Sequence, residues 1–233
     1  MGSGNVPTLK NICFCEENCR QTYTDRIAVS PETIETGVAD LFYTVLFNGV
    51  TTLAAGAGCP LSCRYCINKR LLKEAPRKYV TAEELIEKIR IYDLYFRATG
   101  GGVTFGGGES LLHSVFIGRF RELCPPEWRI AAETSLAVPR ENLLPVLSAV
   151  DEFIVDCKDM NPDIYHRYTG GDAQLMRDNL ESLLASCGAE RVLVRVPRIP
   201  GFNTAEDQRK SAEALRNMGV TRLDLFDYVV RAE

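Results

Sequence analysis

Three cysteines stand close together in the stretch GAGCPLSCRYCIN, residues 56–68, as Cys59, Cys63 and Cys66. Thiolates are soft ligands that suit zinc, copper(I) and iron–sulfur clusters, and a loop of this length can direct three of them at one centre. Structural zinc usually takes four ligands, and no fourth cysteine or histidine follows at a paired spacing. On a cluster of four irons, three thiolates leave one iron open to another ligand. The loop therefore predicts an iron–sulfur cluster that takes part in catalysis, with a structural zinc site as the alternative.

The composition is that of one soluble domain, with 233 residues, of which 45% are hydrophobic and 25% are charged. The longest apolar run is shorter than the about 20 residues of a membrane span, and MGSGNVPTLKN does not resemble a secretory signal. A net charge of -4 without a basic stripe argues against nucleic acid as a partner. We expect a cytoplasmic protein that binds neither membrane nor nucleic acid. Its nine cysteines are then expected to be reduced thiols that bind metal or act in catalysis.

Strand and helix patterns alternate along the chain. The apolar and β-branched residues 41–54 predict a buried strand just before the cysteines, and residues 80–96 predict a helix that starts with a capping box of Thr81 and Glu84. Further strands are predicted at 103–105, 128–135, 151–159, 191–201 and 220–230, and further helices at 111–124, 141–150, 173–187 and 204–219. Short connections between alternating elements are typical of parallel βαβ units.

Six such units are too few for a complete eight-stranded barrel. The predicted fold is therefore α/β, an open, partial (βα)6 TIM-like barrel of parallel strands, with a flat doubly wound sheet as the alternative. We assign residues 41–233 to this barrel domain and residues 1–40 to an N-terminal extension that contains cysteines.

The residues that could bind a ligand or act in catalysis follow successive predicted strands. In both candidate folds ligands bind at the carboxyl ends of the strands, where we expect four loops to converge. These positions are the cysteine loop (residues 57–68) after the first strand, the glycine loop (Gly106, Gly107, Gly108 and Glu109) after the second, Glu133 and Thr134 at the end of the third, and Asp156 and Lys158 at the end of the fourth.

The pattern Cys59-x3-Cys63-x2-Cys66, with the aromatic Tyr65 before the third cysteine, resembles the signature of radical S-adenosylmethionine enzymes. That resemblance implies a 4Fe-4S cluster held by the three cysteines and S-adenosylmethionine bound at its fourth iron. Cleavage of this cofactor gives methionine and a 5'-deoxyadenosyl radical, which abstracts hydrogen. The stretch TFGGGES resembles the GGE motif of the same superfamily, which implies that the glycine loop holds the cofactor's amino group.

Within this superfamily the chain most resembles the activating enzymes of glycyl radical enzymes. Asn68 after the third cysteine, the pair Glu133-Thr134, the stretch VDCKDMNPDIYHRYTG and the stretch RVPRIPGFN carry the likeness. It implies that Tyr65, Asn68, Lys158 and Arg195 lie at the cofactor, and that Glu133, Thr134 and Asp156 bind a monovalent cation beside it. From the residues alone, Asp156 and Lys158 could instead form only an ion pair. His166 is placed at the mouth by the same likeness, with a structural role as the alternative.

The activity implied is abstraction of a glycine Cα hydrogen from a partner glycyl radical enzyme, with flavodoxin or ferredoxin as reductant. The chain departs from the activating enzymes in three places. It has NGVTTLAAGAG where they have a GPGIRT type of sequence, LFDYVV where one branch has PYH, and a serine after the GGE motif in place of proline. Two alternatives therefore stay open: a radical enzyme that modifies a small molecule or peptide, and a zinc or iron–sulfur scaffold without activity.

Three further cysteines, Cys13, Cys15 and Cys19, lie near the N-terminus in CFCEENC. They could hold an auxiliary cluster or zinc with a fourth thiol from elsewhere, or they could be unliganded thiols. The candidates for the fourth ligand are Cys124, Cys157 and Cys187, for which burial as small apolar side chains is the expected role. Packing is likewise the role expected of Trp128, Tyr165 and Tyr168.

Overall fold

A computed structural model describes residues 49–69, 72 and 79–230. Within this part of the chain one sheet contains six strands, each parallel to its neighbours. The strands are β1 (Thr51–Gly56), β2 (Gly102–Gly107), β3 (Arg129–Thr134), β4 (Glu152–Asp156), β5 (Val192–Arg198) and β6 (Arg222–Asp227).

The strand order in space is β1-β2-β3-β4-β5-β6, the same as the order along the chain. A doubly wound sheet reverses direction at a switch point, whereas a barrel adds each strand beside the previous one. The predicted α/β fold with a partial (βα)6 barrel is therefore confirmed, and the doubly wound alternative is wrong. The predicted first strand is observed from Thr51 onwards, and its residues 41–48 lie outside the described residues.

Six α-helices connect the strands within the described residues. They are α1 (Ala82–Ile89), α2 (Asp93–Thr99), α3 (Ser114–Leu123), α4 (Pro162–Thr169), α5 (Ala173–Cys187) and α6 (Ala205–Asn217). None of the helices in the described residues is both long enough and apolar enough to span a membrane.

The predicted capping box at the start of α1 is present. The Glu84 amide donates to the Thr81 hydroxyl at 3.2 Å, and the Thr81 amide donates to the Glu84 carboxylate at 2.7 Å. These reciprocal bonds satisfy amide groups that have no partner inside the helix. The predicted continuous helix over 80–96 is divided, however, because a 3₁₀ turn at Arg90–Tyr92 separates α1 from α2.

The predicted helix over 141–150 is wrong. Two short 3₁₀ turns replace it, Arg140–Asn142 and Leu144–Val146. Pro145 explains the difference, because it has no amide hydrogen and its ring collides with the carbonyl four residues before it in an α-helix. Instead the Val146 amide donates to the carbonyl of Leu143, three residues back, at 3.2 Å.

Helix α4 was not predicted, although its start has a recognisable sequence signal. The Asn161 side chain caps the helix by accepting from the Asp163 amide at 2.9 Å, and Pro162 occupies the first helical position. Both residue types are favoured at these positions. The helix ends at Gly170, which has a left-handed φ of 73°. The last turn of this short helix accepts hydrogen bonds from the backbone of residues 62 and 64 and so supports the cysteine loop.

Aromatic rings fill the core between the sheet and the helices that cover β2. Phe105 of β2 contacts Phe120 of α3 edge-on, with 5.2 Å between ring centres, and Phe96 of α2 contacts Trp128 in the same way. The Trp128 indole donates to the Asp93 carboxylate at 2.7 Å, so its polar group is satisfied although the residue is buried. Trp128 therefore has the packing role that the sequence predicts.

We expect the Phe120→Ala variant to lower the free energy of unfolding by about 3–5 kcal/mol, because the buried ring leaves a cavity in a close-packed core. The Val115→Ala change on the same helix is the control. Val115 is 49% exposed, so its loss should change the free energy by less than about 0.5 kcal/mol. Urea denaturation of both variants measures the difference, and equal losses would contradict this description of the core.

Candidate active site

A cavity of about 260 Å³ opens at the carboxyl ends of the strands. Most residues predicted for the site line it. They are Cys59, Cys63, Cys66, Asn68, Gly107, Gly108, Glu109, Glu133, Thr134, Asp156, Lys158 and Arg195. The expected convergence of separate loops is therefore present in the structure.

Two of the predicted residues do not line the cavity. Gly106 lies in β2 beneath it, where a Cβ would stand 2.9 Å from a Glu133 carboxylate oxygen. Tyr65 packs its ring instead against Phe202, with 5.7 Å between ring centres, and against Tyr228, with 6.5 Å. These two residues shape the site from behind rather than facing it.

The cysteine loop is anchored by backbone hydrogen bonds to the end of α4. The Ser62 amide donates to the Thr169 carbonyl at 2.8 Å, and the Arg64 amide donates to the Tyr168 carbonyl at 3.1 Å. Within the loop, the Cys66 amide donates to the Cys63 carbonyl at 3.3 Å. These bonds hold the backbone on both sides of Cys63, so the loop is positioned by contacts distant in sequence.

All three thiols of the cysteine loop are half-buried. Burial raises the pKa of Cys59 to about 12, and burial also raises the pKa of Cys63. Both thiols are therefore protonated at neutral pH, and a metal centre that binds them as thiolates must release protons. Three soft donors that open into one cavity fit an iron–sulfur cluster, whose protein ligands are thiolates. Among the described residues no three cysteine, histidine, aspartate or glutamate side chains are grouped to hold a single metal ion, whereas the thiolates of a four-iron cluster each bind a different iron.

Gly107 and Gly108 of the glycine loop present backbone to the cavity. A Cβ on Gly108 would stand 2.1 Å from the Gly58 carbonyl oxygen, and Gly107 has a left-handed φ of 88°. Both positions need glycine for these reasons. The Gly108 amide donates to the Gly56 carbonyl at 2.8 Å, and the Asn68 side-chain amide donates to the Gly107 carbonyl at 2.6 Å. The glycine loop is thus fastened to the end of β1 and to Asn68 at the end of the cysteine loop.

The Glu109 carboxylate is buried and fully occupied by hydrogen bonds. One oxygen accepts from the Leu111 amide at 3.1 Å and from the Thr134 hydroxyl at 2.6 Å. The other accepts from the Ser135 amide at 2.8 Å and from the Ser135 hydroxyl at 2.6 Å. Burial raises the pKa of Glu109, although these bonds oppose the rise. The carboxylate therefore ties the glycine loop to the end of β3.

An ion-pair network forms another part of the wall. Arg195 donates to Asp156 at 2.6 Å and to Glu133 at 3.2 Å, and Lys158 donates to the second oxygen of Asp156 at 2.9 Å. Burial alone would raise the pKa of Asp156, but Lys158 and Arg195 outweigh it and lower that pKa to about 2. The predicted pairing of Asp156 with Lys158 is thus present and lies inside the cavity. The two carboxylates that the sequence assigns to a monovalent cation face Arg195.

The sequence prediction missed the aromatic residues of the cavity wall. Phe226 at the end of β6 and Tyr228 just after it line the cavity, as does Tyr168 of α4, for which packing was predicted. The Tyr228 hydroxyl donates to the Tyr65 carbonyl in the cysteine loop. A signal was available, because β6 also ends at the carboxyl edge of the sheet, where ligands bind.

His113 supports the residues that lead into the cysteine loop. Its ring is buried beneath Gly56, where a Cβ would stand 2.8 Å from the ring, and its Nε2 donates to the Ala57 carbonyl at 2.8 Å. Burial lowers the pKa of His113 to about 4, although the bond to Ala57 opposes the change. His113 is therefore neutral at physiological pH. The other histidine, His166, is exposed on α4 and does not line the cavity.

The remaining cysteines lie apart from the cavity or outside the described residues. Cys124, Cys157 and Cys187 are buried, as expected for small apolar side chains. The predicted auxiliary site at Cys13, Cys15 and Cys19 falls outside the described residues and stays a prediction.

The geometry described above agrees with comparisons to known proteins. The family model described as the radical SAM superfamily matches residues 54–208, and the chain belongs to this superfamily. Its members use a 4Fe-4S cluster and S-adenosylmethionine, and three cysteines line the cavity of this chain.

Among named relatives, the chain is similar to several activating enzymes. It is 31% identical over 182 residues to the pyruvate formate-lyase-activating enzyme of Clostridium pasteurianum, which covers 77% of this chain and 76% of that protein. It is 36% identical over 127 residues to the (2S)-3-sulfopropanediol dehydratase activating enzyme of Klebsiella oxytoca, which covers 54% of this chain and 39% of that protein.

Two solved structures share the fold. Streptococcus suis SuiB bound to its precursor peptide SuiA aligns with a TM-score of 0.61 at 10% identity, over 77% of this chain and 39% of SuiB. The enzyme anSMEcpe with bound AdoMet aligns with a TM-score of 0.58 at 19% identity, over 77% of this chain and 51% of that chain. At these identities the likeness supports the fold alone, and the chain spans about half or less of each structure.

We expect the Glu109→Gln variant to lose about 1–3 kcal/mol of stability. The NH2 group of the glutamine replaces an oxygen that accepts two hydrogen bonds, so buried donors would face each other without an acceptor. The Glu122→Gln change is the control, since that side chain is 67% exposed on α3 and meets Arg119 at the surface. Urea denaturation measures both changes. An equal loss in the two variants would contradict the interpretation that the four bonds of Glu109 hold the glycine loop.

Acidification should destabilise the protein through His113. Because the pKa of His113 in the folded protein, about 4, lies below the usual 6.5, the unfolded chain takes up a proton at this residue at a higher pH than the folded protein does. The stability that neutral His113 contributes is therefore fully present above pH 6.5 and is lost as the pH falls toward 4. The predicted loss is about 3 kcal/mol in the free energy of unfolding.

Urea denaturation at several pH values tests this prediction with two variants. His113→Gln should have a stability that falls less steeply between pH 6.5 and 4 than that of the parent, whereas His166→Gln, at the exposed histidine, should follow the parent. Identical pH profiles for His113→Gln and the parent would contradict the interpretation that His113 is buried and neutral.

Proposed function

We propose that the chain activates a glycyl radical enzyme, by reductive cleavage of S-adenosylmethionine and abstraction of a glycine Cα hydrogen from that partner. The observation that carries the proposal is the cavity itself, where three thiols, a glycine backbone loop and a buried charge network meet. The similarity to activating enzymes that cover most of the chain directs the proposal to this reaction class. A partner in the cytoplasm and flavodoxin or ferredoxin as reductant belong to the same proposal.

The cysteine loop would hold the cluster, with Cys59, Cys63 and Cys66 as its ligands. When bound, the reduced cluster supplies the electron that cleaves S-adenosylmethionine to methionine and a 5'-deoxyadenosyl radical. The Cys59 and Cys63 thiols would lose their protons as the metal binds, because burial raises their pKa values and keeps them neutral beforehand. Residues 41–233 would form the catalytic domain.

The cofactor's amino and carboxylate groups would lie between the glycine loop and the charge network. Because the Glu109 side chain is fully bonded, we assign the contact with the amino group to the backbone of Gly107 and Gly108 rather than to that carboxylate. Lys158 supplies positive charge for the cofactor's carboxylate, and Arg195 is held in place by Asp156 and Glu133. The monovalent cation of the sequence prediction would need a rearrangement of these pairs.

An open sheet supports a polypeptide as the substrate. Within the described residues, β1 and β6 are the edge strands and each pairs with one neighbour. A closed barrel would leave entry only from the end, whereas an incomplete one leaves a side through which a loop of another protein can reach the cavity. Hydrogen transfer requires the glycine to come into contact with the radical, so this access matters.

The test uses anaerobically reconstituted protein, reductant, S-adenosylmethionine and candidate glycyl radical enzymes from the same genome. We expect 5'-deoxyadenosine and a glycyl doublet in electron paramagnetic resonance spectra. The Cys63→Ala variant should abolish both signals, because it removes one cluster ligand. The Cys124→Ala variant is the matched control, as that buried cysteine does not line the cavity, and it should keep both signals.

The other outcomes distinguish the competing functions. Formation of 5'-deoxyadenosine without a glycyl signal for any partner would replace the proposal with modification of a small molecule or peptide. Absence of 5'-deoxyadenosine, together with one tightly bound zinc and no iron, would leave a binding scaffold without activity.

A further inference from the structure

Leu136 follows β3 at the edge of the cavity and has an unusual backbone conformation. Its φ is 56°, and no other non-glycine residue in the described part of the chain has a positive φ. In this left-handed region the Cβ atom crowds the following carbonyl oxygen, so the conformation is strained and persists only where surrounding contacts hold it. The Leu136 side chain is fully buried in the core, so glycine could replace it only with a loss of packing.

Hydrogen bonds hold the backbone on both sides of the strained bond. The Leu136 amide donates to the Thr134 hydroxyl at 2.9 Å, and the Leu136 carbonyl accepts from the side-chain amide of Asn179 at 2.8 Å. The same side-chain amide donates to the Val138 carbonyl at 2.8 Å. Because φ describes rotation about the bond from the Leu136 nitrogen to its Cα, a partner on each side of that bond opposes relaxation to a negative φ.

Asn179 lies on the buried face of α5 and is 1% exposed. Asparagine favours helices less than alanine or leucine does, because its side chain competes for backbone hydrogen bonds. Its neighbours on the same face are the apolar residues Met176, Leu180 and Leu183. Neither helix formation nor apolar packing therefore explains an asparagine at this position. The two carbonyl groups that its amide group satisfies do explain it.

The strained turn also positions the groups that hold Glu109. The Thr134 hydroxyl, the Ser135 amide and the Ser135 hydroxyl supply three of the four hydrogen bonds to that carboxylate. The Thr134 oxygen accepts from the Leu136 amide, while the Thr134 hydroxyl hydrogen points to Glu109 at 2.6 Å. Glu109 is the last residue of the glycine loop, so the turn after β3 determines where that loop lies.

We propose that Asn179 is a positioning residue, which holds Leu136 in its strained conformation and thereby fixes Glu109 and the glycine loop for S-adenosylmethionine. This inference rests on the proposed placement of the cofactor's amino group at the glycine loop. Asn179 does not line the cavity, so it acts through the turn and not by contact with the cofactor. Loss of its amide group would leave two buried carbonyl groups without this donor and let the turn relax.

The test is the Asn179→Ala variant, which removes the amide group and keeps a residue that favours helices. We expect S-adenosylmethionine to bind the reconstituted holoprotein about tenfold more weakly in an equilibrium titration, which is the effect of about one net hydrogen bond. The control is Leu183→Ala, a fully buried residue one turn further along the same face of α5. It should lower the overall stability and keep the parent affinity.

Two results of this titration would overturn the inference. One is an unchanged affinity in Asn179→Ala. The other is an equal loss of affinity in Asn179→Ala and Leu183→Ala, which would assign the effect to general destabilisation.

Amide hydrogen exchange of the full chain, measured without S-adenosylmethionine, tests the turn independently of the cofactor. In Asn179→Ala the amides of Ser135 and Leu136 should exchange about tenfold faster than in the parent, because the turn opens more often. The Leu85 amide of α1, which donates to the Thr81 carbonyl, is the internal reference and should be unaffected. Exchange at Ser135 and Leu136 that matches the parent would overturn the inference.

The Asn179→Asp variant covers the case in which alanine at this position prevents folding. Aspartate keeps the size and branching of the side chain but has an oxygen in place of the NH2 group, so we expect the same weaker binding and faster exchange. Parent-like binding and exchange in this variant would overturn the inference. Failure of the proposed function is recognised separately, because the parent would then bind no S-adenosylmethionine, while hydrogen exchange would still show whether Asn179 holds the turn.

Discussion

The site depends on the close approach of two backbone segments, the glycine loop after β2 and the residues that lead from β1 into the cysteine loop. The Gly108 amide bonds to the Gly56 carbonyl, and the Glu109 amide bonds to the Gly58 carbonyl at 2.9 Å. A side chain on Gly108 would overlap the Gly58 carbonyl and separate the segments. Once they are joined, the thiols and the glycine backbone necessarily face the same cavity.

Buried charge in the ion-pair network of the cavity is tolerated because each charged group has a partner of opposite charge. Asp156 of β4 and Arg195 of β5 are register partners in adjacent parallel strands, so their pairing follows from the sheet itself. A buried ion that lost its partner would cost several kcal/mol, whereas a charged ligand can exchange partners with an existing pair. The network is therefore suited to a ligand that carries both an amino and a carboxylate group.

Much of this arrangement could be predicted from the sequence, because it follows from local patterns. The cysteine spacing, the glycine loop and the alternation of strands and helices placed the site at the carboxyl edge of the sheet. The bonding of Glu109 was not predictable, because its partners Thr134 and Ser135 lie at and just after the end of another strand, and its neighbouring glycines indicate a cofactor contact equally well. The contact of Tyr228 with the Tyr65 carbonyl arises only when elements distant in sequence pack together, which no local pattern encodes.

An incomplete barrel also raises the question of what holds its two ends in place. A closed barrel joins its last strand to its first, but within the described residues β6 does not pair with β1. Tyr228 provides a substitute, since its hydroxyl bonds the chain after β6 to the Tyr65 carbonyl in the loop that follows β1.

The rings of Tyr65, Tyr228, Phe202 and Tyr168 pack against one another beside this bond, mostly edge-on or tilted, with Tyr65 stacked on Tyr228. Such contacts join the two ends at the carboxyl edge only, beside the cysteine loop, and require no strand pairing along the rest of the edges. The side of the sheet between β1 and β6 can therefore stay open within the described residues while the cysteine loop stays fixed, because these contacts need no pairing between the two edge strands.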